Sequence, residues 1–387
     1  MDNRIVYFHS AQAGALPING VAGSLIAIFD AALVNDRAAV SATISVTSEV
    51  ATIVFSTSQP FLPMQVLRVA GVANHLALNG RKKILSGSGT TYTFAAPGVA
   101  DGSATGSITA ALACADWQKV FSATNVAVYR SQAVDGCRMY LRVDDTGDVS
   151  ARVVQYESMD DISTGFNPSP TEVQIPGGGH FPKSPSANST ARHWTLVADH
   201  RTLYWRQSFQ DFGGSMWMFG DFNPEKAGDS FASALVAASS NPAATANNPL
   251  STQVDYFVGV GGSNAFIIRN AAATVYSISG LHGVEGVVNT PGASGLGKGY
   301  PSTYPNPANQ GLYLVKKVFY DSTSSRRGTA RGLYLCPQYA ADRFSSNRLI
   351  SGAQGFDGKQ LLAVRAGVPY DSGAPSGVVF FDVTGPW

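Results

Sequence analysis

The sequence predicts a mainly β fold: two or three β-sandwich-like domains with a short N-terminal helix. Three observations carry that expectation. Short runs of alternating apolar and polar residues recur along the chain, each bounded by turn residues. The 40 Gly and 20 Pro supply many tight turns. Aromatic residues reach 10% and accompany frequent Val and Thr, residue types that suit a pleated, half-buried surface. A chain of 387 residues, 44% of them hydrophobic, has material for two or three buried cores.

Residues 1–39 read as an N-terminal assembly segment. Leu25, Phe29 and Leu33 recur there at helical spacing, with Ile26 and Ala32 beside them and Ser24 as the candidate N-cap. Such a helix either packs on its own domain or carries an intermolecular contact. Residues 40–115 read as a small β-sandwich. Ile44 and Val46 mark one strand, Thr52 to Phe55 the next and Gln65 to Gly71 a third. Asn79-Gly80 signals a hairpin turn, Thr91 to Phe94 alternates, and Asp101-Gly102 turns the chain into Ser107-Ile108-Thr109.

Residues 116–288 read as a larger β-rich domain. Val126 to Tyr129 is a strand, and Arg138 to Val143 meets Val149 to Tyr156 across an Asp- and Gly-containing turn. His193 to Val197 leads through a turn at Asp199 to Thr202 into Leu203-Tyr204-Trp205. A helix is expected in the Ser/Ala-rich run Asp229 to Ser239, where Phe231 and Leu235 share helical spacing. A polar loop at Asn241 to Asn248 precedes strands at Val254 to Val260 and Phe266 to Arg269. Residues 289–310 read as a Pro/Gly linker. Residues 311–387 read as a C-terminal small β unit, with strands at Leu312 to Tyr320, Gly332 to Leu335, Gln360 to Arg365 and Val378 to Val383. With no internal repeat, the chain is not a long fibrous shaft.

Charge narrows the function classes. Only 14% of residues are charged, against roughly a quarter in an average soluble domain. A surface so poor in charge suits burial against partner chains in a symmetric assembly, which predicts a homo-oligomer. The net charge of +1 offers no nucleic-acid footprint. Cys114, Cys137 and Cys336 are scattered and form no CxxC pair, so neither a zinc site nor a disulfide framework is indicated, and synthesis in a reducing cytoplasm is expected. The start of the chain does not read as a signal peptide. Its best apolar run, Gly23 to Val34, contains Asp30 and falls short of the roughly 20 residues of a membrane span.

Constellations that carry chemistry are weak. Gly292-Ala293-Ser294-Gly295-Leu296-Gly297-Lys298-Gly299 nearly spells a phosphate-binding loop, but Gly299 replaces the Ser or Thr that would ligate magnesium, and prolines follow where a helix should open. Asp144, Asp145 and Asp148 read as a hairpin turn, since the spacing and distal Glu of a calcium loop are missing. His193, Asp199 and His200 imply no third metal ligand, and His180 after Gly177-Gly178-Gly179 reads as a mobile tip. No acid–base carboxylate pair or nucleophile elbow stands out, so no enzyme and no cofactor are predicted. Arg326, Arg327 and Arg331 form a small basic loop, either solvated or bonded to a neighbouring subunit. Trp205, Phe209, Phe212, Trp217, Phe219 and Phe222 form a dense aromatic run with three readings: core, interface hot spot, or a surface that stacks on sugar rings.

The chain also resembles a family of virion structural proteins of tailed bacteriophages, and the resemblance sits in four places. Gly23-Ser24-Leu25-Ile26-Ala27-Ile28-Phe29-Asp30-Ala31-Ala32-Leu33-Val34-Asn35 is similar to that family's opening helix, and departs from it at Asp36-Arg37, where a Gly-rich step is usual. Leu78-Asn79-Gly80 and Thr93-Phe94 through Ala100-Asp101-Gly102 are similar to its first β-domain. Trp117-Gln118-Lys119-Val120-Phe121-Ser122, Asn125 to Ser131, Arg138 to Asp145 and Tyr156-Glu157-Ser158-Met159 are similar to the start of its second. Arg331-Gly332-Leu333-Tyr334 and Phe381-Asp382-Val383-Thr384-Gly385-Pro386-Trp387 are similar to its C-terminal unit. The resemblance implies a structural component of the virion tail, at the tail tip or baseplate, in contact with other tail proteins. The alternative is a tail protein that binds a host surface receptor or glycan through Trp205 to Phe222.

Overall fold

In the computed structural model, the alternation between Val40 and Leu112 becomes seven strands whose inward residues meet in one core. The structure describes residues 3–208, 215–238, 265–284, 302–321, 325–336, 338–340, 343–366 and 377–387. The small sandwich closes through two bent strands. Val40–Thr47 pairs at its start with Thr109–Leu112 and further on with Val50–Phe55. Gly80–Ser88 pairs first with Val66–Ala70 and then, past a register shift between Ile84 and Ser86, with Thr91–Ala95. Strands that switch sheets at a bend are how a small sandwich turns its corners. Asn79-Gly80 is no two-residue hairpin. A 3-10 turn at Leu76–Leu78 precedes it, and the Asn79 side chain bonds both Val72 N (3.0 Å) and Val72 O (2.9 Å), which closes a wider loop.

Five strands form a second sheet in the order Gly179–Pro182, Ser150–Tyr156, Tyr140–Asp144, Val126–Ser131 and Trp117–Ala123. The third sheet is the largest. It runs antiparallel through Val6–His9, His193–Ala198, Thr202–Ser208, Ser215–Asp221, Ser233–Val236, Ala265–Arg269 and Tyr276–Val284. It continues through Val315–Tyr320, Arg326–Leu335, Gly377–Asp382 and Gln360–Ala366 to Arg348–Ser351. Strands of residues 311–387 therefore extend the same sheet as residues 193–284, and a strand of the N-terminal segment lies at its edge.

Both faces of this sheet are covered. Trp194, Leu196, Leu203, Trp205, Trp217 and Phe219 face the five-stranded sheet and the helix. Val197, Tyr204, Met216 and Met218 face inward, where the sheet folds over on itself. Tyr204 meets Phe381 at 5.0 Å between ring centroids, and Thr195 Oγ1 lies 2.9 Å from Asn347 Oδ1 just before the last strand.

The Ser24–Phe29 helix and the π-turn Asp30–Val34 after it sit where the three sheets converge. Asp229 to Ser239 is not helical as far as it is described. The Asp229 carboxylate accepts the Phe231 N–H at 3.0 Å in a turn, and Ser233–Val236 is a central strand buried on both faces. A short apolar run without alternation carries no period that separates helix from buried strand. Among the described residues no helix is long and apolar enough to cross a membrane.

Candidate functional site

The densest polar chemistry is built where elements meet, and it starts at the helix. Gly23, at φ 82°, stands in the N-cap position and has no side chain to offer, and Ser24 Oγ turns away to donate to Asn19 O (3.0 Å). The cap comes instead from Asp145. Its Oδ2 accepts the N–H groups of Leu25 (2.8 Å) and Ile26 (3.1 Å), and its Oδ1 pairs with Lys183 Nζ at 2.5 Å. Both charged side chains are fully buried. Burial pushes the Asp145 carboxyl upward, and Lys183 and the two amides pull against that push. At the other end of the helix Asp30 accepts from Tyr129 Oη (2.8 Å) and Lys119 Nζ (2.7 Å).

A second network joins the large sheet to the five-stranded one. Asp199 Oδ1 accepts the amides of Arg201 and Thr202, each at 2.8 Å, and Oδ2 accepts Arg331 Nη2 at 2.7 Å. Its backbone carbonyl accepts the Trp117 indole N–H at 2.8 Å. Arg201 pairs with Asp221 (2.8 Å) and Asp135 (3.2 Å). His200 lies beside Asp135 and Asp199, and burial lowers its pKa despite both carboxylates. His193 sits exposed at the far end of its strand, so no metal set forms from His193, Asp199 and His200.

Asp36, Cys114 and Asp116 bring three potential metal-ligand atoms within 4.8 Å of one another. Sequence reasoning missed this cluster, because Asp36 comes from a loop 78 residues before Cys114. Two arginines already balance it: Arg68 bonds both carboxylates, and Arg81 Nη1 bonds Asp116 at 2.7 Å. Two carboxylates met by two guanidiniums leave no charge for a divalent cation to neutralise.

The residues singled out from sequence fall as follows. Trp205, Trp217 and Phe219 are fully buried, so the reading of these rings as an exposed ligand or interface surface is corrected to core. Phe222 is buried against Phe319 (5.3 Å). Phe209 and Phe212 lie outside the described residues, as do the phosphate-loop-like Gly292 to Gly299 and the stretches 241–248 and 254–260. Leu25, Phe29 and Leu33 are fully buried within their own chain. Phe29 stacks edge-on against Tyr129, Phe181 and Trp205. These three side chains therefore serve packing, not an intermolecular contact. Arg326, Arg327 and Arg331 lie on a strand, not in a loop. Arg326 pairs with Glu225, Arg327 with Asp229 and Arg331 with Asp199, all inside the chain. The acidic turn gives its unexpected role to Asp145 alone, while Asp144 bonds Thr146 and Arg142 locally. His180 is no mobile tip: it is buried on a strand, with Ser150 Oγ 2.9 Å from Nδ1 and Arg152 on its other nitrogen.

No family model matches the sequence, and no curated protein matches it.

Proposed function

We propose that this chain is a non-catalytic structural subunit of a tailed bacteriophage particle, placed at the tail tip or baseplate and working as a homo-oligomer. One observation supports the reading above others. Two of the sequence stretches that carry the resemblance, the opening helix and the start of the second domain, bond to each other, and the two parts of the C-terminal stretch pair together. Asp30 of the opening helix is held by Lys119 and Tyr129 of the third stretch, and the helix start is capped by Asp145 of the same stretch. Leu333 and Tyr334 pair in register with Phe381 and Phe380. Gly332, at φ 62°, leaves the space that the Trp387 ring occupies, where a Cβ would stand 2.1 Å from it. Residues spent on such contacts build an architecture.

The test is immunogold electron microscopy of intact particles with antibody against this chain. Label at the tail tip is the expected result. Label on no particle overturns the proposal, and label at the head or neck overturns its placement. The receptor- or glycan-binding alternative loses the buried Trp205, Trp217 and Phe219 as its contact residues, and no other described feature favours it.

A further inference from the structure

A cavity of about 410 Å³ opens at the seam between the N-terminal segment, the helix, the small sandwich and the large sheet. Its walls are apolar: Phe8, Leu16, Ile28, Val40, Phe61 and Trp194 line it. The walls are also fixed. The Trp194 indole N–H donates to Leu16 O at 2.9 Å, and Phe61 packs edge-on against Phe55 at 5.4 Å. The volume and the apolar lining are those of a small-molecule pocket.

One charge faces this space. Arg37 lines the cavity, and its backbone N–H is anchored to Leu112 O at 2.9 Å. Its guanidinium has no hydrogen bond, ion pair or ring contact among the described residues, and only burial acts on its pKa, lowering it. The adjacent Asp36 is already committed to Arg68 and to the Cys114 N–H. A half-buried guanidinium with no counter-charge among the described residues keeps its donors free for a bound anion.

We propose that this cavity binds a small amphipathic anion, an apolar body ending in a carboxylate, with the carboxylate on Arg37. The planar guanidinium fork matches a carboxylate in a way that a neutral hydroxyl cannot reproduce. The inference stands apart from the virion reading, because it uses none of the contacts on which that reading rests.

Calorimetric titration of the full chain with octanoate, and with 1-octanol as the neutral control, tests it. Octanoate is expected to bind saturably at one site. Arg37→Gln should weaken octanoate roughly tenfold or more, the worth of a charge-assisted contact, and leave octanol unchanged. Ala31→Leu, on the cavity wall, should weaken both. Arg37→Gln should not lower the thermal midpoint, since the side chain has no partner to lose. The proposal is overturned by absent saturation, by equal losses of octanoate and octanol in Arg37→Gln, or by a lower midpoint of that variant. Self-association that requires Arg37 while octanoate fails to bind would assign the cavity to a second copy of the chain, and overturns it too.

Discussion

The small sandwich and the large sheet are built from similar residues but solve different problems. In the small sandwich the strands have a wet face. Val50–Phe55 alternates regularly, with Ala51, Ile53 and Phe55 buried and Val50 and Val54 well exposed. In the large sheet Thr202–Ser208 and Gly377–Asp382 are buried at every position. A sheet covered on both sides cannot send its charged residues to solvent, so it pairs them inside: Asp199 with Arg331, and Asp221 with Arg201. The comparison teaches that polarity means opposite things in the two regions. In the first it marks the outside of a strand; in the second it marks a joint between layers.

Charge deletion should separate the regions most. Asp199→Ala strands Arg331 in the interior and should cost about 3–5 kcal/mol, read as a fall in the urea midpoint. Arg68→Ala removes a half-exposed guanidinium from the small sandwich and should cost only about 1 kcal/mol. Equal losses would break the distinction.

Acid should act next, through two buried imidazoles outside the small sandwich. Burial holds His9 down to about 4; burial and then Arg152 hold His180 down to about 4. Both rings stay neutral in the folded chain, while the unfolded chain takes up protons near pH 6.5. Stability is therefore complete above about pH 6.5, falls as the pH drops, and stops falling from this source below about 4. Each ring contributes up to about 3 kcal/mol to that loss. Urea midpoints measured between pH 7 and 4 should show the fall, and His9→Gln should reduce it. A flat profile would show that neither ring is held neutral.

The smallest effects should come from valine to threonine exchanges. Val379→Thr places a hydroxyl in the closed interior and should cost about 1–3 kcal/mol, whereas Val54→Thr, on the wet face, should stay within about 0.5 kcal/mol. Thermal midpoints of the two variants make the cleanest test of the contrast.

Legibility followed the same division. The strands of the small sandwich could be read because alternation reports burial on one face. The hairpin from Tyr140–Asp144 to Ser150–Tyr156 was readable from its turn residues. Ser233–Val236 was not, because four buried residues in a row carry no period. Arg327 and Arg331 read as a loop, solvated or bonded to a neighbouring subunit, because sequence shows charge without showing Asp229 and Asp199, which arrive from far along the chain. The cap from Asp145 was hidden for the same reason: the Leu25 N–H that it accepts lies 120 residues earlier. The Arg37 cavity has walls from five separate stretches, and no local motif announces such a place.

Lys83 ties the molecule together in time as well as in space. Its buried ammonium donates to Ile5 O and to Val383 O, the latter 300 residues further along. At a synthesis rate of about 5–20 residues per second, roughly 15–60 s pass between the emergence of Lys83 and that of its last partner. During that interval the Val6–His9 strand must also wait for His193–Ala198 before it can pair. The nascent chain thus carries an unpaired strand through about half of its own translation and a lysine without its last partner through most of it. Slowing or stalling the ribosome late in the message should therefore raise the yield of aggregated chains far more than the same delay placed early.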